Sequence, residues 1–344
     1  MASSAREVQT NKTSEDTSKF IEARVNNYME KFSFLITIFV VIYFVLIIPS
    51  MFEIDQFFKD SNIKHSYWEF LVTIPSALFS YGLYKLSLSY LIQKWKPYIS
   101  PIIVRQNETE EMRVHRLGEY LYKMIYDSCA WMTLIYLSNG TPFSPPELGG
   151  KFEVVSSVKA WPYEINTPIR MYYMIALGHY FERFSYEVFK NRSSPSFFTM
   201  FFHHLVTILM IFLSYVTGHQ RYGVTVLLTH DLNDVFLNLS RFLRESVFPQ
   251  FASFFFLMLA GTWLYSRIYL FAKYVLFGLY FNAVNLQPLI HRFIFLHYFY
   301  VPALVSLFVL NLFWLFQIVR IFLFRFVKKD KNLPFEDFRS KKKN

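Results

Sequence analysis

The chain has 344 residues, of which 53% are hydrophobic and 17% charged, with a formal net charge of +10. Soluble globular proteins carry about 25% charged residues, so this composition excludes an ordinary soluble domain and indicates an integral membrane protein. The single cysteine, Cys129, excludes an intrachain disulfide and a cysteine-based zinc site. We expect no nucleic-acid partner.

The first 31 residues are polar and of mixed charge, and they do not resemble a cleaved signal peptide. A helix needs about 20 mostly apolar residues to cross a bilayer. Eight stretches approach this length, near residues 33–52, 69–91, 118–138, 169–189, 197–216, 222–240, 250–276 and 294–324. The last two are long enough to tilt or break, and Pro302 is placed to kink the eighth. The sequence therefore predicts an all-α, polytopic membrane protein with about eight transmembrane helices.

Three of these spans are the weakest by hydropathy because of the ionisable residues that they carry. An ionisable side chain in hydrocarbon is costly unless it faces a polar cavity or a partner, so polar spans are expected to line an interior. The residues are Glu119, Lys123 and Asp127 in the third span, His179, Glu182 and Arg183 in the fourth, and His230, Asp231 and Asp234 in the sixth.

Lysine and arginine are concentrated in the N-terminal tail, the 92–117 connection, the short connections after the fourth and sixth spans, and the C-terminal tail. Cytoplasmic connections are enriched in these residues, which predicts that both termini are cytosolic. The chain ends in "KKKN", which matches the dilysine retrieval signal of endoplasmic reticulum membrane proteins. A solvated basic tail near anionic lipid is an equal alternative.

The fifth and sixth spans are joined by a short connection, so they are expected to be adjacent and antiparallel. Pairing residue 197 with 240 and 216 with 221 brings His203 level with Asp234 and Thr207 level with His230. His203 and Thr207 share a helix face, as do His230 and Asp234, whereas His204 lies about 100° around from His203. Both sets lie roughly 10 Å from the cytosolic end at 1.5 Å per residue, within reach of a cytosolic substrate.

Two other interpretations of these residues stay open at this point. A lone intramembrane histidine is often a hydrogen-bonded packing residue, but packing alone would bury Asp231 and Asp234 near each other, where like charges repel. A metal site formed by His203, His230 and Asp234 is geometrically feasible. The nine histidines lack the repeated HxxxH or HxxHH clusters of membrane di-iron oxygenases.

The segment Phe201 to Phe242, "FFHHLVTILMIFLSYVTGHQRYGVTVLLTHDLNDVFLNLSRF", resembles the Lag motif of ceramide synthases. In that motif a double histidine, an "SY" pair, an "RxG" step and an "HDxxD" group follow in this order. The matching positions are His203, His204, Thr207, Ser214, Tyr215, Arg221, Gly223, His230, Asp231, Asp234 and Leu237.

The resemblance extends more weakly over residues 115–340, including Glu119, "WPYE" at Trp161, Tyr172, "YSR" ending at Arg267, and Trp314. It departs from the family where a basic "KRKDF"-like entry is replaced by "KNRSSPSF" and where the motif ends in Ser240-Arg241. No homeobox-like insertion fits in the 92–117 connection.

The resemblance implies a six-helix TLC bundle and a domain order along the chain. A polar cytosolic tail (1–31) precedes two accessory transmembrane helices (32–92) and a cytosolic loop (93–117), and a TLC acyltransferase domain (118–327, with the Lag motif at 201–242) is followed by a basic cytosolic tail (328–344). The implied location is the endoplasmic reticulum membrane, as a multi-pass protein.

The implied activity is that of a sphingoid base N-acyltransferase of the EC 2.3.1 class, which transfers a fatty acyl group from acyl-CoA to the amine of a sphingoid base to give ceramide or dihydroceramide. His203 or His204 would be the general base, oriented by Asp231 or Asp234, since an imidazole with a pKa near 6.5 accepts protons at neutral pH. Alternatively, one of these histidines would be a nucleophile that carries the acyl group.

Supporting roles are expected for other residues of the same region. Thr207, Tyr215 and His230 are candidate oxyanion donors, and Lys190, Arg192, Arg241 and Arg244 are candidate ligands of CoA at the cytosolic rim. We expect acyl-CoA as a co-substrate, no separate cofactor and no metal. The partners are the sphingoid base and the lipid bilayer, with homo- or hetero-oligomerisation open. The connection "GLYFNAVNLQPLIHR" is a place where acyl preference is set in the family. The alternative function is a non-enzymatic TLC-domain lipid sensor or lipid carrier.

Overall fold

The computed structural model describes residues 31, 55–56, 58–60, 67–99, 109–153, 164–192, 196–281 and 294–323. Throughout these ranges the regular elements are helices, and one isolated bridge pairs Ile99 with Ser246. The first predicted span, both terminal tails and most of the connection between the last two spans lie outside the described residues.

Seven main helices follow one another along the described chain. They are α1 (Thr73–Leu86), α2 (Glu110–Ser138), α3 (Thr167–Lys190), α4 (Phe197–Val216), α5 (Gln220–Arg244), α6 (Pro249–Thr262) and α7 (Ile294–Phe322). A 3₁₀ turn, Tyr67–Val72, precedes α1, and short π, α and 3₁₀ turns (Ser87–Leu91, Ile92–Trp95, Lys96–Tyr98) extend it. A π-helical segment, Trp263–Phe281, continues α6, and Pro146–Leu148 forms a 3₁₀ turn between α2 and α3.

These helices coincide with the second to eighth predicted spans, and α4 has the predicted bounds. Three of them are long and apolar enough to cross a membrane by length and composition: Phe197–Val216, Pro249–Gly278 and Tyr300–Phe322. The seventh span does not break, since α6 changes to π-helical geometry at Trp263 and continues. Pro302 lies inside α7 without ending it.

The helix ends follow from local sequence. Thr109 caps α2 by accepting a hydrogen bond from the backbone N–H of Met112, and Asn166 caps α3 through the N–H of Ile169, in keeping with the preference for such residues at helix starts. Helices α4 and α5 are joined by only three residues, and Gly218 has the positive φ of 72° that this reversal requires. The predicted antiparallel arrangement of these two helices is found.

Close packing at the α4–α5 turn explains two parts of the Lag motif. A Cβ on Gly223 would lie 1.6 Å from Oη of Tyr173, so only glycine lets α3 approach α5 here. The Tyr173 hydroxyl donates to the carbonyl of Gln220 at 3.1 Å and accepts from Ser214 Oγ at 3.3 Å. Ser214 is eleven residues from His203, about 16 Å along the helix, so this packing lies far from the double histidine.

Helix α1 packs directly on the bundle formed by the later helices. A Cβ on Gly178 of α3 would lie 2.5 Å from the carbonyl oxygen of Thr73, which shows how closely the two backbones approach. Ser76 Oγ donates to the carbonyl of Ile175 at 2.7 Å. Helix α1, which corresponds to the second predicted span, therefore packs directly against α3.

Candidate active site

A cavity of about 460 Å³ lies between α2, α3, α4, α5, α6 with its π-helical continuation, and α7. One end is lined by Arg116, Asn191, Ser196 and Arg241. This is the end at which α2 and α4 begin and α3 and α5 finish. The cavity is thus lined by the polar helices α2, α3 and α5, as well as by the apolar α4, α6 and α7.

The four residues predicted to be catalytic, His203, His204, Asp231 and Asp234, all line this cavity. The ring of His203 makes a T-shaped contact with the ring of Trp314 of α7, with 5.2 Å between the ring centroids. The His204 ring centroid lies 5.4 Å from that of His203. Nδ1 of each ring is buried and has no hydrogen-bond partner among the described residues. Nε2 is therefore the ring atom left to meet a molecule in the cavity.

Asp234 is paired with a buried arginine from the π-helical segment. Nη2 of Arg267 donates to Asp234 Oδ2 at 2.7 Å and to the carbonyl of His230 at 2.9 Å. The guanidinium lies 4.1 Å from the ring centroid of Trp263, and the Arg267 side chain is only 3% exposed. A buried charge needs such a partner, so this pair stabilises the carboxylate beside the two histidines.

Asp231 has different partners from Asp234. Tyr180 and Tyr172 of α3 lie near its carboxylate, and both tyrosines line the cavity. In the described part of the chain no lysine or arginine forms an ion pair with Asp231. The two motif carboxylates therefore differ: Asp234 is paired with a cation, whereas Asp231 lies near two tyrosines.

Neither carboxylate hydrogen-bonds to His203 or His204 within the described residues. The predicted arrangement, in which Asp231 or Asp234 fixes the tautomer of a catalytic imidazole, is not what the side chains adopt. For Asp234 the physical reason is that Arg267 binds its carboxylate at 2.7 Å. Electrostatic action across the cavity remains available to both carboxylates.

The three predicted supporting residues lie outside the cavity lining. His230 uses Nδ1 to donate to the carbonyl of Val226 at 2.8 Å, and its Nε2 accepts from Asn311 Nδ2 at 3.0 Å. Thr207 donates to the carbonyl of His203 at 2.8 Å within its own helix. Tyr215 donates to Glu69 at 2.6 Å. These contacts are interhelical or intrahelical hydrogen bonds.

Of the four predicted CoA ligands, Arg241 lines the cavity, whereas Lys190, Arg192 and Arg244 do not. Arg116, which the sequence analysis did not select as a ligand, lines the same end as Arg241. It is already paired with Glu245, through Nη2 to Oε2 at 2.5 Å and Nε to Oε1 at 3.2 Å.

A second polar cluster lies along the α3 side of the cavity. Arg183 forms a two-pronged pair with Glu182 at 2.5 and 2.6 Å, and its guanidinium lies 4.7, 5.1 and 5.4 Å from the rings of Tyr122, Tyr186 and Tyr84. His179 stacks on Tyr126 with 3.5 Å between the ring centroids. Its Nδ1 is hydrogen-bonded to Ser80 Oγ of α1 at 2.8 Å. Helix α1 thereby supports a cavity-lining histidine.

Contacts of the site residues with distant parts of the chain were not predicted from the sequence. Arg267 and Trp314 were noted only as parts of the family resemblance, and no signal in the sequence paired them with Asp234 or His203. The signal available was the placement of an arginine inside an apolar span, which demands a buried partner.

Within the described residues, no group of three or more His, Cys, Asp or Glu side chains is arranged to hold a metal ion. His230, one member of the feasible metal site, makes the hydrogen bonds with Val226 and Asn311 given above.

Comparison with known proteins gives one family match and several relatives. The "TRAM_LAG1_CLN8: TLC domain" family model matches residues 116–320. ASC1-like protein 3 of Oryza sativa is 26% identical over 213 residues, which cover 60% of this chain and 72% of the rice protein. Sphingosine N-acyltransferase lag1 of Schizosaccharomyces pombe is 26% identical over 174 residues, 50% of this chain and 43% of that protein. Ceramide synthase LOH2 of Arabidopsis thaliana is 23% identical over 217 residues, 61% and 70% respectively. The predicted resemblance is confirmed by these matches.

Proposed function

Because the chain belongs to the TLC domain family, we propose that it is a ceramide synthase, an enzyme that transfers a fatty acyl group from acyl-CoA to the amine of a sphingoid base. Proteins named ceramide synthase and sphingosine N-acyltransferase are among its relatives. The observation that carries the proposal is the meeting of His203, His204, Asp231 and Asp234 at one cavity.

The chemistry requires proton removal from an amine. The amine nitrogen attacks the carbonyl carbon of the thioester, the C–S bond breaks as the C–N bond forms, and CoA leaves as a thiolate that takes up a proton. A neutral imidazole with an available ring nitrogen can accept the amine proton. Nε2 of His203 or His204 is the atom that does so in the proposed mechanism.

The carboxylates act through charge in this scheme. Asp234 forms an ion pair with Arg267, so it gives the cavity less negative potential than Asp231, which forms no ion pair among the described residues. Asp231 attracts the ammonium form of the base and stabilises the imidazolium formed after proton transfer. A nucleophilic histidine that first takes the acyl group remains the second scheme, and it uses the same Nε2 atom.

The membrane arrangement belongs to the same proposal. We infer eight spans with both termini in the cytosol and a location in the endoplasmic reticulum, supported by the lysine and arginine bias and the "KKKN" ending. The cavity end lined by Arg116 and Arg241 would then face the cytosol, where acyl-CoA is found. The phosphates of CoA would stay at this end while the acyl chain enters between α4, α6 and α7.

The activity test uses purified protein in lipid nanodiscs with acyl-CoA and sphinganine. Free CoA and a new amide, measured by thiol titration and mass spectrometry, are expected only when both substrates are present. Lipid redistribution without CoA release would support the carrier alternative instead. His203→Ala is expected to abolish turnover in protein that still elutes as a folded species.

A matched control is His219→Ala. His219 lies beside the α4–α5 turn, where its Nδ1 is 2.9 Å from Thr217 Oγ1, and it is not part of the cavity lining. Full activity of His203→Ala and His204→Ala together would remove the assignment of the site.

A further inference from the structure

The cavity has a third carboxylate that lies outside the HDLND group. Asp127 of α2 lines the cavity with Asp231 and Asp234 and lies close enough to both for electrostatic interaction. Among the described residues no lysine or arginine forms an ion pair with Asp127. Lys123, one turn earlier on the same helix, is paired with Glu119 at 2.6 Å.

Asn238 of α5 holds this carboxylate in place. Its Nδ2 donates to Asp127 Oδ2 at 3.0 Å and to the carbonyl of Asp234 at 2.9 Å. The Asn238 side chain is 4% exposed, and its Oδ1 is buried with no hydrogen-bond partner in the described part of the chain. Both residues line the cavity, so a half-buried carboxyl group and a buried amide oxygen are left to accept hydrogen bonds at one position.

The position of the pair relative to the histidines suggests which part of a substrate it meets. Asn238 is four residues beyond Asp234 on α5, so it lies one helical turn, about 6 Å, nearer the end lined by Arg241. A sphingoid base carries hydroxyl groups on the carbons on either side of the amine-bearing carbon. With the amine at the level of His203, a neighbouring hydroxyl falls within about one helical turn.

We propose that Asp127, positioned by Asn238, binds the hydroxyl groups of the sphingoid base and so selects hydroxylated amines over simple alkyl amines. This inference rests on the proposed function. Hydroxyl groups donate hydrogen bonds. Within the pair only Asn238 Nδ2 is a donor, so acceptor oxygens of the pair are left for the hydroxyl groups of a substrate. Asp231, deeper in the cavity and near Tyr172 and Tyr180, is left to attract the amine.

The test compares two acceptors, sphinganine and 2-aminooctadecane, which has the amine but neither hydroxyl. We expect the wild-type protein to prefer sphinganine, and Asp127→Asn to lower kcat/KM for sphinganine by about 3- to 10-fold, the range for a hydrogen bond between uncharged groups. The value for 2-aminooctadecane and the KM for acyl-CoA should stay within about twofold, since these substrates do not use the pair. Asn238→Leu should also lower kcat/KM for sphinganine, because Asp127 then loses the hydrogen bond that holds its side chain in place.

The control is Asp55→Asn, which removes a carboxylate paired with Lys59 outside the cavity and should not change the ratio between the two amines. Retained turnover of 2-aminooctadecane shows that Asp127→Asn protein is folded. If this variant loses activity on both amines, the isosteric exchange has damaged ammonium binding or the fold, and the hydroxyl assignment is overturned.

The outcomes separate this inference from the function on which it rests. Wild-type protein that acylates neither amine overturns the proposed function. Wild-type activity with the same preference for sphinganine in Asp127→Asn and Asn238→Leu overturns the hydroxyl assignment alone.

Discussion

Arg267 of the π-helical segment donates to Asp234 of α5 at 2.7 Å, and this ion pair fixes two side chains that line the cavity. The same guanidinium also binds the carbonyl of His230, so one side chain fixes both the backbone and a carboxylate of the HDLND group.

Removing Arg267 is expected to cost both stability and activity. Arg267→Met leaves the Asp234 carboxylate and the His230 carbonyl without their donor, at a cost of about 3 kcal/mol in the free energy of unfolding. Thermal unfolding in nanodiscs measures this cost. The double variant Arg267→Met with Asp234→Asn should regain part of the stability, because no unpaired charge remains. A double variant that is less stable than the single one would contradict the pairing.

Trp314 is expected to position His203. The T-shaped contact between the two rings limits the orientation of the imidazole, and such aromatic contacts are worth about 0.5–1.5 kcal/mol. Trp314→Leu should therefore lower kcat by about tenfold or more, because small displacements of a reacting group have large effects on rate. CoA release at saturating substrates checks this. Trp131 of α2, which does not line the cavity, supplies the matched control Trp131→Leu.

His230 is expected to act on stability and not on chemistry. Its two ring nitrogens bind the Val226 carbonyl and the Asn311 amide, and it is absent from the cavity lining. His230→Leu should lower the free energy of unfolding by about 1–3 kcal/mol, since it leaves buried groups unsatisfied. Turnover per folded molecule should stay within a few-fold of wild type. Loss of turnover in fully folded His230→Leu protein would restore a catalytic role.

Gly223→Ala is expected to disrupt the α4–α5 turn. The added Cβ meets Tyr173 Oη at 1.6 Å, with the ring carbon Cζ at 2.8 Å, and overpacking of this kind costs about 1–3 kcal/mol. Tyr173→Phe in the same chain removes the closest atom and should recover part of the lost thermal stability. No recovery would mean that the strain lies elsewhere in the turn.

Tyr215 belongs to the motif but does not line the cavity. Tyr215→Phe tests whether its hydroxyl acts on stability or on turnover. Its hydroxyl donates to Glu69 at 2.6 Å, next to the ion pair between Glu69 and Arg170 at 3.1 Å. The variant should unfold at a lower temperature by an amount equivalent to about 1 kcal/mol while it keeps its rate of CoA release. A large fall in rate with unchanged stability would place Tyr215 in the chemistry.

The sequence predicted the positions of the helices well. Apolar stretches coincide with the seven described helices, and three of these helices are long and apolar enough to cross a membrane. That His203 lies level with Asp234 stays a prediction from the short α4–α5 turn. The partners of the site could not be predicted in the same way. Arg267 binds the Asp234 carboxylate and Asn238 binds the Asp127 carboxylate across helix interfaces, and helical spacing reports only which residues share a face of one helix.

The sequence by itself determined an all-helical chain with two histidines and two carboxylates at matched depth, since helix length and periodicity are local properties. Only the tertiary structure decided which groups neutralise those carboxylates, that His230, Thr207 and Tyr215 point away from the cavity, and that Asp127 faces into it. The physical reason is that a side chain buried in a helical bundle must find its partner on a neighbouring helix, and the rotation of one helix against another is set by the packing of all of them.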